Sequence, residues 1–287
     1  MIGFIGTGLM GFPMAQRLPS AGYPLMVYNR TRAKAEPLQA EGAVLAETPG
    51  EVFSRCDIIF LMLTDGPAVK EVLSSIPRVQ FSGKMIVQMG TILPEESLEF
   101  ARTIEDAGGK YLEAPVLGST PEASSGRLIV LVGGSREQYQ QMLPYLRLFG
   151  PEPFYLGEIG KAATTKLALN QLIVTLITAF SISLGILQAG GGDVELFMRI
   201  LRQSALYAPM FDKKLERMLN RDFRRPNFPV KHLLKDVRLI IKAAQHVGIS
   251  TEVLQSIQEI LQQAVDAGWQ DLDYSAIFQV LAPGERL

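Results

Sequence analysis

Residues 3–15 read GFIGTGLMGFPMA. Gly6, Gly8 and Gly11 stand at GxGxxG spacing, after the apolar run IGFI and before a stretch of helical periodicity. The reasons for glycine are steric. Gly6 permits the tight turn out of a strand, Gly8 lets the backbone approach a pyrophosphate, and Gly11 lets helix and strand lie close. The helix then offers the free N–H groups of its first turn to phosphate oxygens. In that setting the motif predicts a dinucleotide-binding βαβ unit rather than a plain glycine-rich turn. Gly6, Thr7, Gly8, Leu9, Met10 and Gly11 are the candidate cofactor-binding residues there.

The end of the second strand discriminates between NAD and NADP. An Asp or Glu about 20 residues on would hold a ribose 2′-hydroxyl. This chain has Val27-Tyr28-Asn29-Arg30-Thr31, with no carboxylate to repel a 2′-phosphate. Arg30 can pair with such a phosphate, and Asn29 and Thr31 can hydrogen-bond it. The expected cofactor is NADP(H), the alternative for Arg30 being a solvated surface arginine.

Working outward, the first half of the chain alternates. Short apolar runs (IGFIG, PLMVYN, DIIFLML, KMIVQMG, LIVLVGG) are separated by stretches of helical spacing, as in βαβ units around a mostly parallel sheet. After about residue 160 only helical patterns remain. Val230, Leu233, Leu234, Val237, Ile241 and Ala244 form an apolar stripe, and Lys231, Lys235, Arg238 and Lys242 a basic one. The expected fold is α/β, a Rossmann-type mostly parallel sheet domain over residues 1–160, followed by an all-helical C-terminal domain over 161–287.

Composition narrows the partners. In 287 residues the net charge is −1, which argues against a general grip on nucleic acid or acidic membranes. The single cysteine, Cys56, cannot form an intrachain disulfide and suits a reducing compartment, so a cytoplasmic location is expected. His232 and His246 have no partner cysteines, so no metal site is expected. IGFI follows Met1 without a basic flank or cleavage site, so no signal peptide is expected either.

Residues 160–170 read GKAATTKLALN, and from Leu167 to Gly192 no residue is charged. The run is long enough to span a bilayer. It also carries Asn170, Gln171, Thr175, Thr178, Ser181, Ser183 and Gln188, so it is read as a buried helix and no membrane partner is expected. Lys166 at its edge then needs a reason, because burying an ammonium is costly. Hydride transfer to a carbonyl leaves an alkoxide that needs a proton. A lysine can supply it, and burial lowers a lysine pKa toward working pH. Asn170 at i+4 shares its helix face and can orient the ammonium or a substrate oxygen. The residues alone also permit a lysine snorkelling at the end of a core helix.

The spacing Gly157-x2-Gly160-x5-Lys166-x3-Asn170 resembles the catalytic signature of the β-hydroxyacid dehydrogenases, and the likeness covers essentially the whole chain. That family includes 3-hydroxyisobutyrate dehydrogenases and glyoxylate/succinic semialdehyde reductases. GFIGTGLMG resembles its cofactor motif and NRT the NADP-preferring form. MLTD, with Met62, Leu63 and Thr64, resembles the loop over the cofactor, and MGT ends in Thr91 near nicotinamide and substrate. EAPVLGST (113–120) resembles the substrate loop, with Leu117, Gly118 and Ser119, and FPVKHLLKD (228–236) the late Lys-Asp motif. NRT, EAPV-x-GS and FPVKH followed by LLKD are most similar to the glyoxylate/succinic semialdehyde reductases.

The resemblance implies an NADPH-dependent reductase of small aldehyde acids that forms a homodimer or homotetramer. Lys166 would be the general acid with Asn170 as its helper. Thr91, Phe228 and Asp236 would line the substrate pocket, and Lys235 would lie beside the cofactor. Without it, Lys235 is part of the basic stripe and Asp236 a neighbour of Arg238 on an exposed surface.

The family loop usually carries serine where this chain has Leu117, and leucine donates no side-chain hydrogen bond. Backbone N–H groups around Gly118 and Ser119, with the Ser119 and Thr120 hydroxyls, are the remaining donors for a carboxylate. Another carbonyl or an imine is therefore an alternative substrate, although imine-reducing relatives often replace the lysine. 6-Phosphogluconate dehydrogenase shares the architecture but is much longer. A non-catalytic NADP-binding protein is a third reading, which retention of Lys166 and Asn170 opposes.

Overall fold

A computed structural model of the chain describes residues 1–283. It divides into two compact units, Met1–Leu167 and the residues from Ala168 onward. The division falls inside a helix that runs unbroken over Lys161–Ala189.

In the first unit, β1 (Ile2–Ile5), β2 (Leu25–Tyr28), β3 (Val44–Leu45), β4 (Ile58–Leu61), β5 (Met85–Gln88), β6 (Lys110–Glu113), β7 (Val116–Leu117), β8 (Ile129–Gly133) and β9 (Phe154–Gly157) form one sheet. Its order is β3-β2-β1-β4-β5-β6-β8-β7, with β9 beside β8. Every pairing from β3 to β6 is parallel. β8 runs antiparallel to β6 and β7, and their registers (Glu113 opposite Gly133, Val116 opposite Val130) make β7 a continuation of β6 past Pro115. The five apolar runs of the sequence are β1, β2, β4, β5 and β8. The other four strands carried no such run.

Strand alternation feeds two cores, one on each face of the sheet. Phe4, Val27, Phe60 and Val87 join Met14 and Leu18 of α1 (Gly11–Ser20). Ile5, Met26, Ile59 and Ile86 join Val52 of α2 (Pro49–Arg55), Val69 of α3 (Gly66–Ser74) and Phe100 of α4 (Pro94–Glu105). Two further helices, α5 (Thr120–Ser125) and α6 (Arg136–Leu146), flank β8 in sequence.

After α7 (Lys161–Ala189) come α8 (Val194–Gln203), α9 (Pro209–Leu219), α10 (Val230–His246), α11 (Glu252–Asp266) and α12 (Ile277–Leu281). The apolar stripe read from α10 is buried at Val230, Leu233, Leu234, Val237 and Ile241. By length and composition α7 could cross a membrane. It is buried on one face only: Asn170, Val174, Ile177, Ser181 and Leu184 are inside, whereas Leu172, Ile182 and Ile186 are 53%, 45% and 69% exposed.

Candidate active site

Strand order reverses at β1, which has β2 on one side and β4 on the other. The loops at the carboxyl ends of β1, β2, β4 and β5 therefore share the edge where open α/β sheets bind ligands. Gly6 leaves β1 at φ +98°, and a Cβ there would stand 2.3 Å from the Met62 carbonyl oxygen. At Gly11 a Cβ would stand 1.9 Å from the Gly6 carbonyl oxygen, whereas at Gly8 it would meet nothing within 4 Å. No side chain caps the N-terminus of α1 and its first turn holds no acidic residue. Leu9 is exposed and Met10 half-buried beside this opening. The arrangement is a positive-ended surface with room at Gly8 for a phosphate group.

The neighbouring loop is tied to this turn. Thr7 N donates to Asn29 Oδ1 (3.0 Å), Asn29 Nδ2 donates to the Thr31 carbonyl (2.8 Å), and Thr7 Oγ1 donates to the Lys34 carbonyl (3.1 Å). Asn29 thus joins its own loop to the turn after β1 and braces its own loop at Thr31, and its NH₂ keeps one further N–H for a ligand. Arg30 and Thr31 are exposed. Arg30 forms no ion pair among the described residues, while Arg32 is held by Glu36 and Glu47. After β4, Met62 N donates to the Ile5 carbonyl (2.9 Å), Leu63 is half-buried and Thr64 is exposed. After β5, Gln88 pins the turn by accepting from Gly90 N and donating to its carbonyl, and Thr91 follows half-buried.

The loop at 117–120 is braced within itself. Ser119 N and Oγ both donate to Glu122 Oε2, at 2.9 and 2.7 Å. Two of the donors expected for a substrate carboxylate are therefore already on a carboxylate of this chain. Leu117 is half-buried, Gly118 is exposed at φ +136°, and Thr120 Oγ1 is buried without a hydrogen-bond partner among the described residues.

Lys166 lies on the second turn of α7, 7% exposed, and Asn170 one turn later is 2% exposed. Asn170 Nδ2 donates to Asp236 Oδ2 at 2.7 Å, and Lys235 Nζ stands 2.6 Å from Asp236 Oδ1. Asp236 is 2% exposed, so it is no surface neighbour of Arg238. Because a carboxylate only accepts, the amide nitrogen must face Asp236. Asn170 Oδ1 is left as a buried acceptor with no partner among the described residues, suited to an ammonium or a hydroxyl. Phe228, just before α10, lies across Tyr274 (5.7 Å between ring centres) and parallel to His232 (6.4 Å). Burial, with Lys235 and Lys231 nearby, holds His232 below its usual pKa. Among the described residues no cluster of three His, Cys, Asp or Glu side chains could hold a metal ion.

Two supporting acids escaped the sequence reading. Asp273 is fully buried and accepts from Lys214 Nζ (2.8 Å), Ser275 N (3.1 Å) and Ser275 Oγ (2.7 Å), next to the Tyr274 N–H that holds the Phe228 carbonyl (2.9 Å). Glu113 accepts from Ala162 N at the start of α7 (2.8 Å). Neither has a local signal, whereas Ser119-x-x-Glu122 is a capping-box pattern legible in sequence.

Residues 1–157 match the family of the NAD-binding domain of 6-phosphogluconate dehydrogenase. Residues 160–281 match the NAD-binding family of NADP-dependent 3-hydroxyisobutyrate dehydrogenase. Glyoxylate/succinic semialdehyde reductase 2, chloroplastic, of Arabidopsis thaliana is 36% identical over 98% of this chain and 79% of its own length. Reductase 1 of the same plant is 32% identical over 98% of both chains. The chain belongs to the 3-hydroxyisobutyrate dehydrogenase-like family of β-hydroxyacid dehydrogenases. As such it is an NAD(P)-dependent oxidoreductase. Mycobacterium tuberculosis 3-hydroxyisobutyrate dehydrogenase with L-serine shares the fold, at TM-score 0.87 over 98% of each chain and 21% identity. In this β-hydroxyacid dehydrogenase the open space at Gly8 and the uncapped start of α1 fit a nicotinamide dinucleotide.

Proposed function

We propose that this dehydrogenase is an NADPH-dependent reductase of small aldehyde acids, such as succinic semialdehyde or glyoxylate, with Lys166 as the proton donor. The observation that carries the reading is Lys166, buried one turn before an Asn170 whose amide is fixed by Asp236. When bound, the nicotinamide supplies hydride to the aldehyde carbon. Lys166 gives its proton to the carbonyl oxygen as negative charge develops there. Asn170 Oδ1 holds the ammonium or the new hydroxyl, and Thr91 and Phe228 bound the substrate. Arg30 and Thr31 take the 2′-phosphate, supported by the absence of a carboxylate at the end of β2. The names of the Arabidopsis relatives support the substrate class. The exposed apolar side chains of α7 support a homodimer or homotetramer, and the single cysteine supports a cytoplasmic location.

One observation favours a second reading. Leu117 offers no donor, and Glu122 holds both donors of Ser119. An uncharged carbonyl or an imine then replaces the aldehyde acid.

NADPH oxidation with glyoxylate, succinic semialdehyde and butanal, on wild type and Lys166→Ala, separates these outcomes. The variant is expected to lose about 10²–10⁴-fold in kcat on the preferred aldehyde while still binding NADPH. An unchanged kcat removes Lys166 from the reaction. Turnover of butanal alone selects the second reading, and no turnover with any of the three, with NADPH still bound, counts against both carbonyl readings.

A further inference from the structure

We infer that Glu113 is the positioning residue for Lys166: from the end of β6 its carboxylate grips the first turn of α7 and sets where the lysine stands. The inference rests on Lys166 being the proton donor.

A helix begins with four N–H groups that have no partner within it. In α7, Lys161 N donates to the Glu158 carbonyl (3.2 Å), and Thr164 N makes the first bond of the helix itself, to the Gly160 carbonyl (2.9 Å). The two between them, Ala162 N and Ala163 N, donate to Glu113 Oε1 at 2.8 and 3.3 Å. The acceptor thus comes from another strand, not from the residues just before the helix, where Gly160 at φ +94° has no side chain to offer. Lys166 follows Ala162 by four residues and Ala163 by three, the two spacings that share a helix face. The amides that Glu113 holds lie directly beneath the lysine.

The carboxylate is itself fixed. Glu113 is 1% exposed, its Oε2 accepts from Ser97 Oγ (2.6 Å), and Ser97 Oγ lies 3.0 Å from Tyr111 Oη. Opposite it on β8, a Cβ at Gly133 would stand 2.4 Å from Oε1, so the bare glycine leaves the path to α7 open. Burial raises the Glu113 pKa, and the bonds from Ser97, Ala162 and Ala163 oppose that. A serine just before the helix would cap it without burying a charge. What the long-range acid adds is register between sheet and helix. A displacement of about 1 Å at a reacting group costs on the order of 100-fold in rate.

The test measures kcat per NADPH-binding site, counted by fluorescence titration, together with amide hydrogen exchange at Ala162 and Ala163. For Glu113→Ala, kcat is expected to fall roughly 30- to 100-fold with NADPH affinity within about twofold of wild type. Its two amides should exchange at least about tenfold faster. Glu113→Gln keeps an oxygen for the amides and an NH₂ for Ser97 Oγ, and should recover to within about threefold. In a Lys166→Ala background, Glu113→Ala should change kcat by less than about twofold, because the two act as one unit. A merely structural residue would lower the amount of folded protein and leave kcat per site intact. That result, or an undiminished fall in the Lys166→Ala background, overturns the inference. If Glu113→Ala does not fold, Ser97→Ala takes its place, with an expected fall of about three- to tenfold, and no fall overturns the inference. If wild type reduces no aldehyde, the proposed reaction fails but the exchange arm still decides: unchanged exchange removes the grip, and faster exchange retains it.

Discussion

Gly8 and Gly11 belong to one motif but should fail differently when given a methyl group. At Gly8 an added Cβ meets nothing within 4 Å, and its φ lies outside the left-handed region. Gly8→Ala should leave the apoprotein as stable as wild type, or up to about 0.5 kcal/mol more stable through the unfolded chain. The same methyl points into the space that a pyrophosphate would occupy. Losing one charge-assisted N–H bond costs about 1.5–3 kcal/mol. That is roughly a 10- to 150-fold rise in the NADPH Kd. At Gly11 the Cβ would lie 1.9 Å from the Gly6 carbonyl oxygen, which is backbone and cannot rotate away. Gly11→Ala should therefore cost about 3 kcal/mol of stability before any cofactor is added. Thermal unfolding without NADPH, and fluorescence titration with it, read the two effects separately. A Gly8→Ala protein that binds NADPH like wild type would refute the placement of the pyrophosphate. One as unstable as Gly11→Ala would refute the steric argument.

Arg30→Ala is expected to weaken NADPH binding at least about tenfold and to leave NADH binding unchanged, since only the 2′-phosphate meets the guanidinium; equal losses for both cofactors in titration would count against it. Leu117→Ser should lower the KM for succinic semialdehyde by restoring a hydroxyl to the loop, and an unchanged or higher KM in steady-state assays would remove that role. Burial raises the Glu113 pKa above 4.5, so the folded chain holds that proton more tightly than the unfolded chain does. Its stabilising contribution is full below the unfolded value and is lost as pH rises through the folded one. Melting curves of Glu113→Gln and wild type should diverge across that window, and parallel curves would show the carboxyl to be unperturbed.

The dinucleotide cradle was legible because its causes are local. Gly6, Gly8 and Gly11 lie within one turn and the start of one helix, and Met62 meets Gly6 only because β4 pairs with β1 as a parallel sheet requires. The short strands were not legible. β3 and β7 have two residues each, too few for a pattern, and β6 reads KYLE with a charge at each end. The partners that Asn29 and Ser119 have within the chain were not part of the sequence reading. For Ser119 the partner, Glu122, was three residues away and the pattern was there to be read. For Asn29 the partner was Thr7 N on another loop, which only the sheet brings near.

The same distinction explains the lysine at the edge of the uncharged helix. Its proposed chemistry rests on its type and on Asn170 one turn later. Its placement was not legible, because both acids that bear on it arrive from far along the chain. Glu113 reaches Ala162 and Ala163 across about fifty residues of sequence, and Asp236 reaches Asn170 across 66. Between Ala162 and Asn170 the helix rises about 12 Å at 1.5 Å per residue. Lys166 stands at the middle of that interval, on a stretch held by a buried carboxylate at each end. A flexible four-carbon stem gives a lysine little definition of its own. Helix propensity and apolar periodicity would be satisfied equally well if α7 turned or slid by a residue. The two carboxylates are what make those alternatives unequal, so the placement of the proposed proton donor would depend on acids far from it in sequence.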